Sequence, residues 1–181
     1  KTVRNISISL GGNDNRNLLK RILNILPNLP QSIQYNLFVG FDINNIKKVE
    51  LKNKKYSGYN IKVYCNPANY YPLIYNSDIG IVSGGITMFE YAFMGIPTIS
   101  LPQHNHQIRN ISNLSKKGVT FSVNNKMKIN DKLIYHYLNC IIKNYTLRKD
   151  MNKKARYEID GKGVIRISKL IDNCINNKNI K

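Results

Sequence analysis

A pair of glycines, Gly84 and Gly85, lies between a predicted buried strand, Ile79–Val82, and a predicted short helix, Thr87–Met94. Glycine has no side chain, so another group can approach this backbone closely, and the free N–H groups of the helix's first turn then point at it. The helix dipole favours an anion at the same place. The turn therefore predicts a phosphate site. It is formed by Ser83, Gly84, Gly85, Ile86 and Thr87.

Glu90 follows Thr87 by three residues and so places a carboxylate one helical turn from the predicted phosphate. A carboxylate at that distance suits the hydroxyls of a ribose. The same residues have a second interpretation, in which the glycines form only a tight turn. Thr87 and Glu90 would then be a capping box, whose two side chains close the start of the helix. Taken alone, the segment leaves both interpretations open.

A second glycine pair, Gly11 and Gly12, favours the ligand interpretation. It connects a predicted strand, Asn5–Leu10, to a predicted helix, Leu18–Leu26. Two such junctions in one α/β chain open at the carboxyl edge of a parallel sheet, where ligands bind in open α/β folds. Asn13 and Asp14 follow the glycines. Asp14 fits equally well as an Asx turn or as a cap for the helix at Leu18.

Neutral polar side chains of the kind that recognise sugar hydroxyls follow the next predicted strand, Pro97–Leu101. They are Gln103, Asn105 and Gln107, and the histidines on either side of Asn105, His104 and His106, could each reach a bound sugar or phosphate. Two histidines two residues apart suit a metal only with a third ligand, and the sequence places none there, so we expect no metal and no other cofactor. The alternatives are surface histidines without a role, and a helix cap formed by Asn105.

The elements that would position these residues alternate along the chain, and this alternation predicts an α/β fold. We expect a Rossmann-like open parallel sheet of about six strands with helices on both faces. The predicted strands are Asn5–Leu10, Ile33–Gly40, Tyr59–Tyr64, Ile79–Val82, Pro97–Leu101 and Val119–Val123. The predicted helices are Leu18–Leu26, Asn69–Asn76, Thr87–Met94, Ile108–Lys117 and Val164–Ile175, with a weak helical pattern over Asp42–Lys55 and a stronger one from Asn130 to a break near Gly161.

The length of 181 residues suits one domain. The chain starts without methionine and enters a strand almost at once, which predicts the carboxyl-terminal part of a longer protein. Its formal net charge of +18 raises the alternative of a module that binds nucleic acid or another polyanion. The lysines are scattered rather than striped with aromatics, however, and Lys, Asn and Ile are what A+T-rich codons produce. We therefore favour a solvated surface and consider nucleic acid an unlikely partner.

Four motifs together resemble the carboxyl-terminal half of GT-B-type nucleotide-sugar enzymes. They are Gly11-Gly12-Asn13-Asp14, Ser83-Gly84-Gly85-Ile86-Thr87-x-x-Glu90, Ala92-x-x-Gly95-Ile96-Pro97 and Pro102-Gln103-x-Asn105-x-Gln107. In these motifs the chain most resembles the UDP-sugar hydrolases of spore-coat polysaccharide and pseudaminic-acid pathways. It is more distantly similar to the lipid-linked peptidoglycan N-acetylglucosaminyltransferase.

This resemblance implies roles for individual residues. The turn at Ser83–Thr87 would hold a diphosphate through backbone amides and the Thr87 hydroxyl, and Glu90 would hold the ribose. Gly11, Gly12, Asn13 and Asp14 would line the cleft that faces a second domain, and the loop from Gln103 to Gln107 would face the sugar. The uracil is expected near Cys65-Asn66-Pro67. In such hydrolases the general base comes from the amino-terminal domain, so the catalytic residues are expected outside this chain.

We therefore expect a single UDP-binding domain, residues 1–181, in an enzyme of surface-polysaccharide or nonulosonic-acid synthesis. Whether the whole enzyme is a hydrolase or a glycosyltransferase stays open, and the chain alone is expected to be inactive. Its expected partners are UDP or a UDP-sugar, the amino-terminal domain of the same protein and, peripherally, an anionic membrane. The three cysteines have no disulfide or metal spacing and predict a reducing, cytoplasmic location. A domain that only senses a nucleotide or scaffolds a complex is a third interpretation.

Overall fold

Six parallel strands form one sheet in a computed structural model that describes residues 1–12, 14, 16–40, 56–123 and 129–178. The strands are β1 (Asn5–Ser9), β2 (Gln34–Val39), β3 (Asn60–Cys65), β4 (Ile79–Ser83), β5 (Thr98–Leu101) and β6 (Thr120–Ser122). Each matches a predicted strand to within about one residue at either end. The isoleucines of the central strands explain why: β4 is buried along its whole length, and β1 and β5 place isoleucine between small polar residues, whereas the edge strand β3 is partly exposed.

The order of the strands in space is β3-β2-β1-β4-β5-β6. The chain therefore builds outward from β1 to β3, returns to pair β4 with β1, and builds outward again on the other side. Ile6 pairs with Ile79 and Ser9 with Val82, so β1 and β4 end side by side. This arrangement confirms the predicted Rossmann-like sheet. It also places the switch point, where ligands bind in such folds, between β1 and β4.

Seven helices accompany the sheet in the described part of the chain. They are α1 (Leu18–Ile25), α2 (Tyr70–Tyr75), α3 (Ile86–Met94), α4 (Asn105–Lys116), α5 (Asp131–Lys143), α6 (Tyr145–Glu158) and α7 (Gly163–Lys178). Ile81 packs in one core cluster with Ile22 of α1 and Leu138 of α5, whereas its neighbour Val82 packs in a second cluster with Tyr91 of α3. Successive strand residues point to opposite faces, so helices cover both faces, as predicted.

Several helix boundaries differ from the predicted ones. Helix α1 ends at Ile25 and continues as a 3-10 turn, Leu26–Asn28, because Pro27 has no N–H to donate to the α-helical ladder. The helical pattern after Asn130 is two helices, separated at Asn144, whose side-chain oxygen accepts the backbone N–H of Leu147 and starts α6. The predicted helical pattern over Asp42–Lys55 lies outside the described residues.

Helix α7 exposes an apolar face. Its side chains of Val164, Ile167 and Leu170 are 80%, 60% and 63% exposed. None of the helices in the described ranges is long and apolar enough to cross a bilayer.

Candidate functional site

The two glycine turns meet at the carboxyl edge of the sheet. A Cβ built on Gly11, which has a φ of +92°, would lie 3.6 Å from the hydroxyl of Ser83 at the end of β4. A positive φ of this size is readily available only to glycine. The predicted juxtaposition of the first and second junctions is therefore present in the fold, and Ser83 is buried between them.

The amino terminus of α3 is open. Its N-cap is Gly85, with a φ of −88°, and no side-chain hydrogen bond caps the helix. Met88 donates its N–H to the Gly85 carbonyl at 3.2 Å. The N–H groups of Ile86 and Thr87, at the first two helical positions, have no carbonyl acceptor within the helix.

The capping-box interpretation of Thr87 and Glu90 is wrong, because the helix begins one residue before Thr87. A capping box needs its threonine at the N-cap, outside the first turn. Here the N-cap is a glycine, which has no side chain to accept a hydrogen bond. Ile86, at the first helical position, leaves its side chain 78% exposed at the edge of the sheet. The start of α3 is therefore available to a ligand.

Three other glycines of the two turns differ in how closely their neighbours approach them. A Cβ on Gly84 would lie 2.6 Å from Cδ1 of Ile111 and 2.9 Å from Cβ of Gln107, so Gly84 is required by the packing of α4. A Cβ on Gly85 would meet nothing closer than Nε2 of Gln107 at 3.5 Å, which is an ordinary contact. A Cβ on Gly12 would have no heavy atom of the described residues within 4 Å. Among the described residues, nothing therefore crowds a side chain at Gly12 or at Gly85.

Asp14 closes the start of α1. Its carboxylate accepts the backbone N–H groups of Leu18 and Leu19, each at 2.8 Å, and the side-chain amide of Gln103 at 3.1 Å. The alternative prediction of a helix cap is confirmed for this residue. Protein donors thus occupy the Asp14 carboxylate. Because this carboxylate already accepts the N–H groups at the start of α1, that helix has fewer free N–H groups for a bound anion than α3 has. Asn13, predicted beside it, lies outside the described residues.

Gln103 and Gln107 are both buried and tie the loop after β5 to the first glycine turn. The backbone N–H of Gln103 donates to Oε1 of Gln107 at 2.8 Å, and Nε2 of Gln103 donates to the Leu10 carbonyl at 3.4 Å. Within the described residues, Oε1 of Gln103 has no hydrogen-bond partner. These contacts give both glutamines a structural role. Their predicted contact with a sugar remains a prediction.

His104, Asn105 and His106 are exposed beside the same edge. The two imidazole rings stack with centroids 5.5 Å apart and planes inclined by 10°. Helix α4 begins at Asn105, three residues earlier than predicted, and its N-cap is His104. The suggested cap by the Asn105 side chain is therefore wrong. In the described part of the chain, no group of three His, Cys, Asp or Glu side chains is placed to hold a metal.

Glu90 is hydrogen-bonded to a residue of another helix. Its Oε1 accepts the hydroxyl of Tyr71 at 3.0 Å. Tyr71 lies on α2, and sequence reasoning did not assign it to the site. A contact between residues 19 positions apart leaves no periodic pattern in the sequence. The one signal for Tyr71 was its position soon after Cys65-Asn66-Pro67, the segment predicted to hold the uracil.

A cavity of about 210 Å³ lies between the first glycine turn and the ends of β2 and β3. Tyr70 forms one wall. Its hydroxyl is 2.9 Å from Oγ of Ser9, its ring packs edge-on against Phe38 at 5.2 Å, and burial raises its pKa. Asn66, which also lines the cavity, has a φ of +41° and donates its N–H to the Val39 carbonyl at 3.0 Å. Asparagine adopts this left-handed conformation more readily than other residues with a side chain, and Asn17 at the start of α1 does the same.

Residues 5–165 match the family described as the glycosyltransferase family 28 C-terminal domain. Among characterised relatives, the chain is 26% identical over 173 residues to the spore coat polysaccharide biosynthesis protein SpsG of Bacillus subtilis. That alignment covers 94% of this chain and 50% of SpsG. The chain thus spans about half the length of this relative.

Two solved structures share the fold. MurG of Acinetobacter baumannii superposes with a TM-score of 0.74 at 19% identity, over 96% of this chain and 52% of MurG. The spinosyn rhamnosyltransferase SpnG, in a complex with thymidine diphosphate, superposes with a TM-score of 0.65 at 16% identity, over 86% of this chain and 41% of SpnG. At these identities the likeness concerns the fold.

Proposed function

The chain belongs to the glycosyltransferase family 28 C-terminal domain family, and on that premise we propose that it holds the UDP part of a UDP-sugar. The whole enzyme would act in surface-polysaccharide or nonulosonic-acid synthesis and break the bond between the sugar and the diphosphate. The name of SpsG supports the polysaccharide pathway. Either water or an acceptor sugar can attack in such a reaction, so hydrolase and glycosyltransferase both fit the proposal.

The open amino terminus of α3 is the observation that carries this proposal. Its uncapped amides lie at an edge where no atom of the described residues fills the space beside Gly12 and Gly85. Neither glycine has a φ that excludes other residues or a close neighbour that forbids a side chain. A ligand that approaches the backbone there gives both positions a reason to be glycine. A diphosphate also suits the electrostatics of a helix amino terminus.

The nucleoside would lie beside the diphosphate, on the side of β1, β2 and β3. Glu90 would accept hydrogen bonds from the ribose hydroxyls. The cavity of about 210 Å³ beside Asn66, Pro67 and Tyr70 would take the uracil, where backbone groups at its rim can recognise the edge of the base. Gly11 and the exposed His104 and Asn105 would face the sugar or the second domain.

Catalysis by this half would come from its amides. The departing UDP gains negative charge as the glycosidic bond breaks, so donors aimed at the diphosphate stabilise the transition state more than the ground state. The attacking group and its base would come from an amino-terminal domain of the same protein. In this proposal residues 1–181 are one domain of that longer protein, which acts in the cytoplasm. Three free cysteines, Cys65, Cys140 and Cys174, support a reducing compartment.

Calorimetric titration of the chain with UDP, CMP and AMP tests the proposal. We expect UDP to bind most tightly and the chain alone not to hydrolyse a UDP-sugar, since it lacks the attacking side of the site. Failure of UDP to bind, or binding no tighter than that of AMP, contradicts the nucleotide assignment. Turnover of a UDP-sugar by the isolated chain contradicts the division of the active site between two domains.

A further inference from the structure

We propose that Tyr71 is a positioning residue that fixes the Glu90 carboxylate for a ribose and thereby sets a preference for ribonucleotides over 2′-deoxyribonucleotides. The inference rests on the proposed function, in which Glu90 binds the ribose. It gives helix α2, whose Tyr70 lines the cavity proposed for the uracil, a second contact with the site through the ribose.

The contact between the two side chains is well formed. The Tyr71 hydroxyl donates to Oε1 of Glu90 at 3.0 Å, within the usual range for such a bond. The ring of Tyr71 packs against that of Tyr70, with centroids 5.7 Å apart and planes inclined by 64°. Tyr70 is itself held by Ser9 and by Phe38. Tyr71 is 55% exposed, and its contact with the ring of Tyr70 is what orients its phenol toward Glu90.

The chemistry of the pair leaves the carboxylate able to bind a ribose. An ionised carboxylate only accepts hydrogen bonds, and its two oxygens offer about four acceptor sites. Tyr71 uses one of them on Oε1, which leaves Oε2 and part of Oε1 for the 2′ and 3′ hydroxyls. Ordering the glutamate before the ligand arrives reduces the conformational entropy that binding would otherwise cost. Removing the phenol hydroxyl should therefore weaken contacts to the ribose hydroxyls and spare the rest of the site.

The pKa of Tyr71 offers a direct probe of the contact in the absence of ligand. The hydrogen bond to Glu90 and the negative charge of that carboxylate raise the pKa of the phenol above its ordinary value. In Glu90→Gln the charge is removed, so the pKa of Tyr71 should fall back toward the ordinary value. Tyrosine ring-carbon chemical shifts, followed against pH by NMR, report this change separately from ligand affinity.

The test is a calorimetric comparison of UDP with 2′-deoxy-UDP on the wild-type chain, Tyr71→Phe, Glu90→Gln and the double variant. We expect Tyr71→Phe to weaken UDP about three- to tenfold, to weaken 2′-deoxy-UDP less, and to add little once Glu90 is replaced. Tyr75→Phe is the matched control, because Tyr75 lies one turn further along the same helix and is 65% exposed. It should bind both ligands as the wild type does.

The outcomes separate this inference from the proposed function. If Glu90→Gln weakens UDP while Tyr71→Phe binds it normally, the role of Tyr71 is wrong and the proposed function stands. Equal weakening of both ligands by Tyr71→Phe also overturns the inference, because a general structural effect does not distinguish a ribose from a deoxyribose. If the wild-type chain does not bind UDP, the proposed function and the inference both fail.

Discussion

At the scale of single residues, the carboxylates of Asp14 and Glu90 serve opposite purposes. Both follow a glycine pair at a strand–helix junction, and each had a capping role among its interpretations. Asp14 accepts two backbone N–H groups at the start of α1 and is occupied by protein donors. Glu90 lies within α3 and accepts only the phenol of Tyr71 among the hydrogen bonds described for it. The carboxylate that α3 does not use for capping is the one that remains accessible to a ligand.

Replacing Asp14 by alanine should lower the free energy of unfolding by about 0.5–2 kcal/mol, the usual cost of losing a helix cap. The reason is that the N–H groups of Leu18 and Leu19 lose their acceptor. Asp14→Asn is the graded comparison, since its single side-chain oxygen can accept only one of the two N–H groups, so its stability should lie between those of Asp14→Ala and the wild type. Urea denaturation measures both variants. Equal stability of Asp14→Ala and the wild type would contradict the capping role.

At the scale of elements, the sequence predicted the strands well and some helix starts poorly. The strands carry apolar residues either in a short run, as in β4, or in alternation with polar ones, as in β1, and both are local signals that require no knowledge of partners. The start of α4 at Asn105 was missed because it depends on Gln107, whose side chain reaches back to the backbone N–H of Gln103. The break at Asn144 had a visible signal, since asparagine is a strong N-cap residue, but the apolar spacing continued across it.

The same limit applies to the candidate site. Its glycines, Glu90 and the edge of the sheet were predictable, because a strand–turn–helix pattern fixes which end of the sheet the turns occupy. The difference between Gly84 and Gly85 was not, because it depends on where Ile111 of α4 lies in space. The contact between Tyr71 and Glu90 likewise joins two helices and has no counterpart in the local sequence.

Gly84→Ala should therefore act on the fold. Its new methyl group would lie 2.6 Å from Ile111, so α4 must shift or the side chain must leave its rotamer. Overpacking of this kind costs about 1–3 kcal/mol of the free energy of unfolding. Thermal and urea denaturation should both show the loss. Wild-type stability in this variant would mean that α4 does not pack against the turn as described.

At the scale of the whole molecule, charge is the feature that the proposed function does not use. The interpretation that the chain binds a polyanion or an anionic membrane rests on its formal net charge of +18 alone. Several basic side chains are already paired on the surface, among them Arg21 with Asp131 and Arg166 with Asp160. Exposed pairs of this kind contribute little to stability. The remaining charge is consistent with a solvated surface.

Salt dependence separates the two kinds of partner. Between about 50 and 200 mM salt, a polyanion held through six or more phosphates should lose about three to five orders of magnitude in affinity. UDP carries few charges and its proposed contacts are directional, so its affinity should change by no more than about tenfold. Titrations with UDP and with a single-stranded oligonucleotide measure this difference. Tight oligonucleotide binding that persists at 200 mM salt, together with absent UDP binding, would favour the polyanion interpretation.

The central claim is that a diphosphate lies against the open start of α3, and calorimetry of Gly85→Val with UDP and uridine tests it most directly. A Cβ at Gly85 meets no atom of the described residues closer than 3.5 Å and the backbone has a φ of −88°, so the variant should still fold, with its unfolding temperature lowered only by the cost of valine at a helix N-cap. We predict that it binds uridine almost normally and UDP much more weakly, because only UDP has a diphosphate to collide with the new side chain. Equal affinity losses for UDP and uridine would contradict the claim.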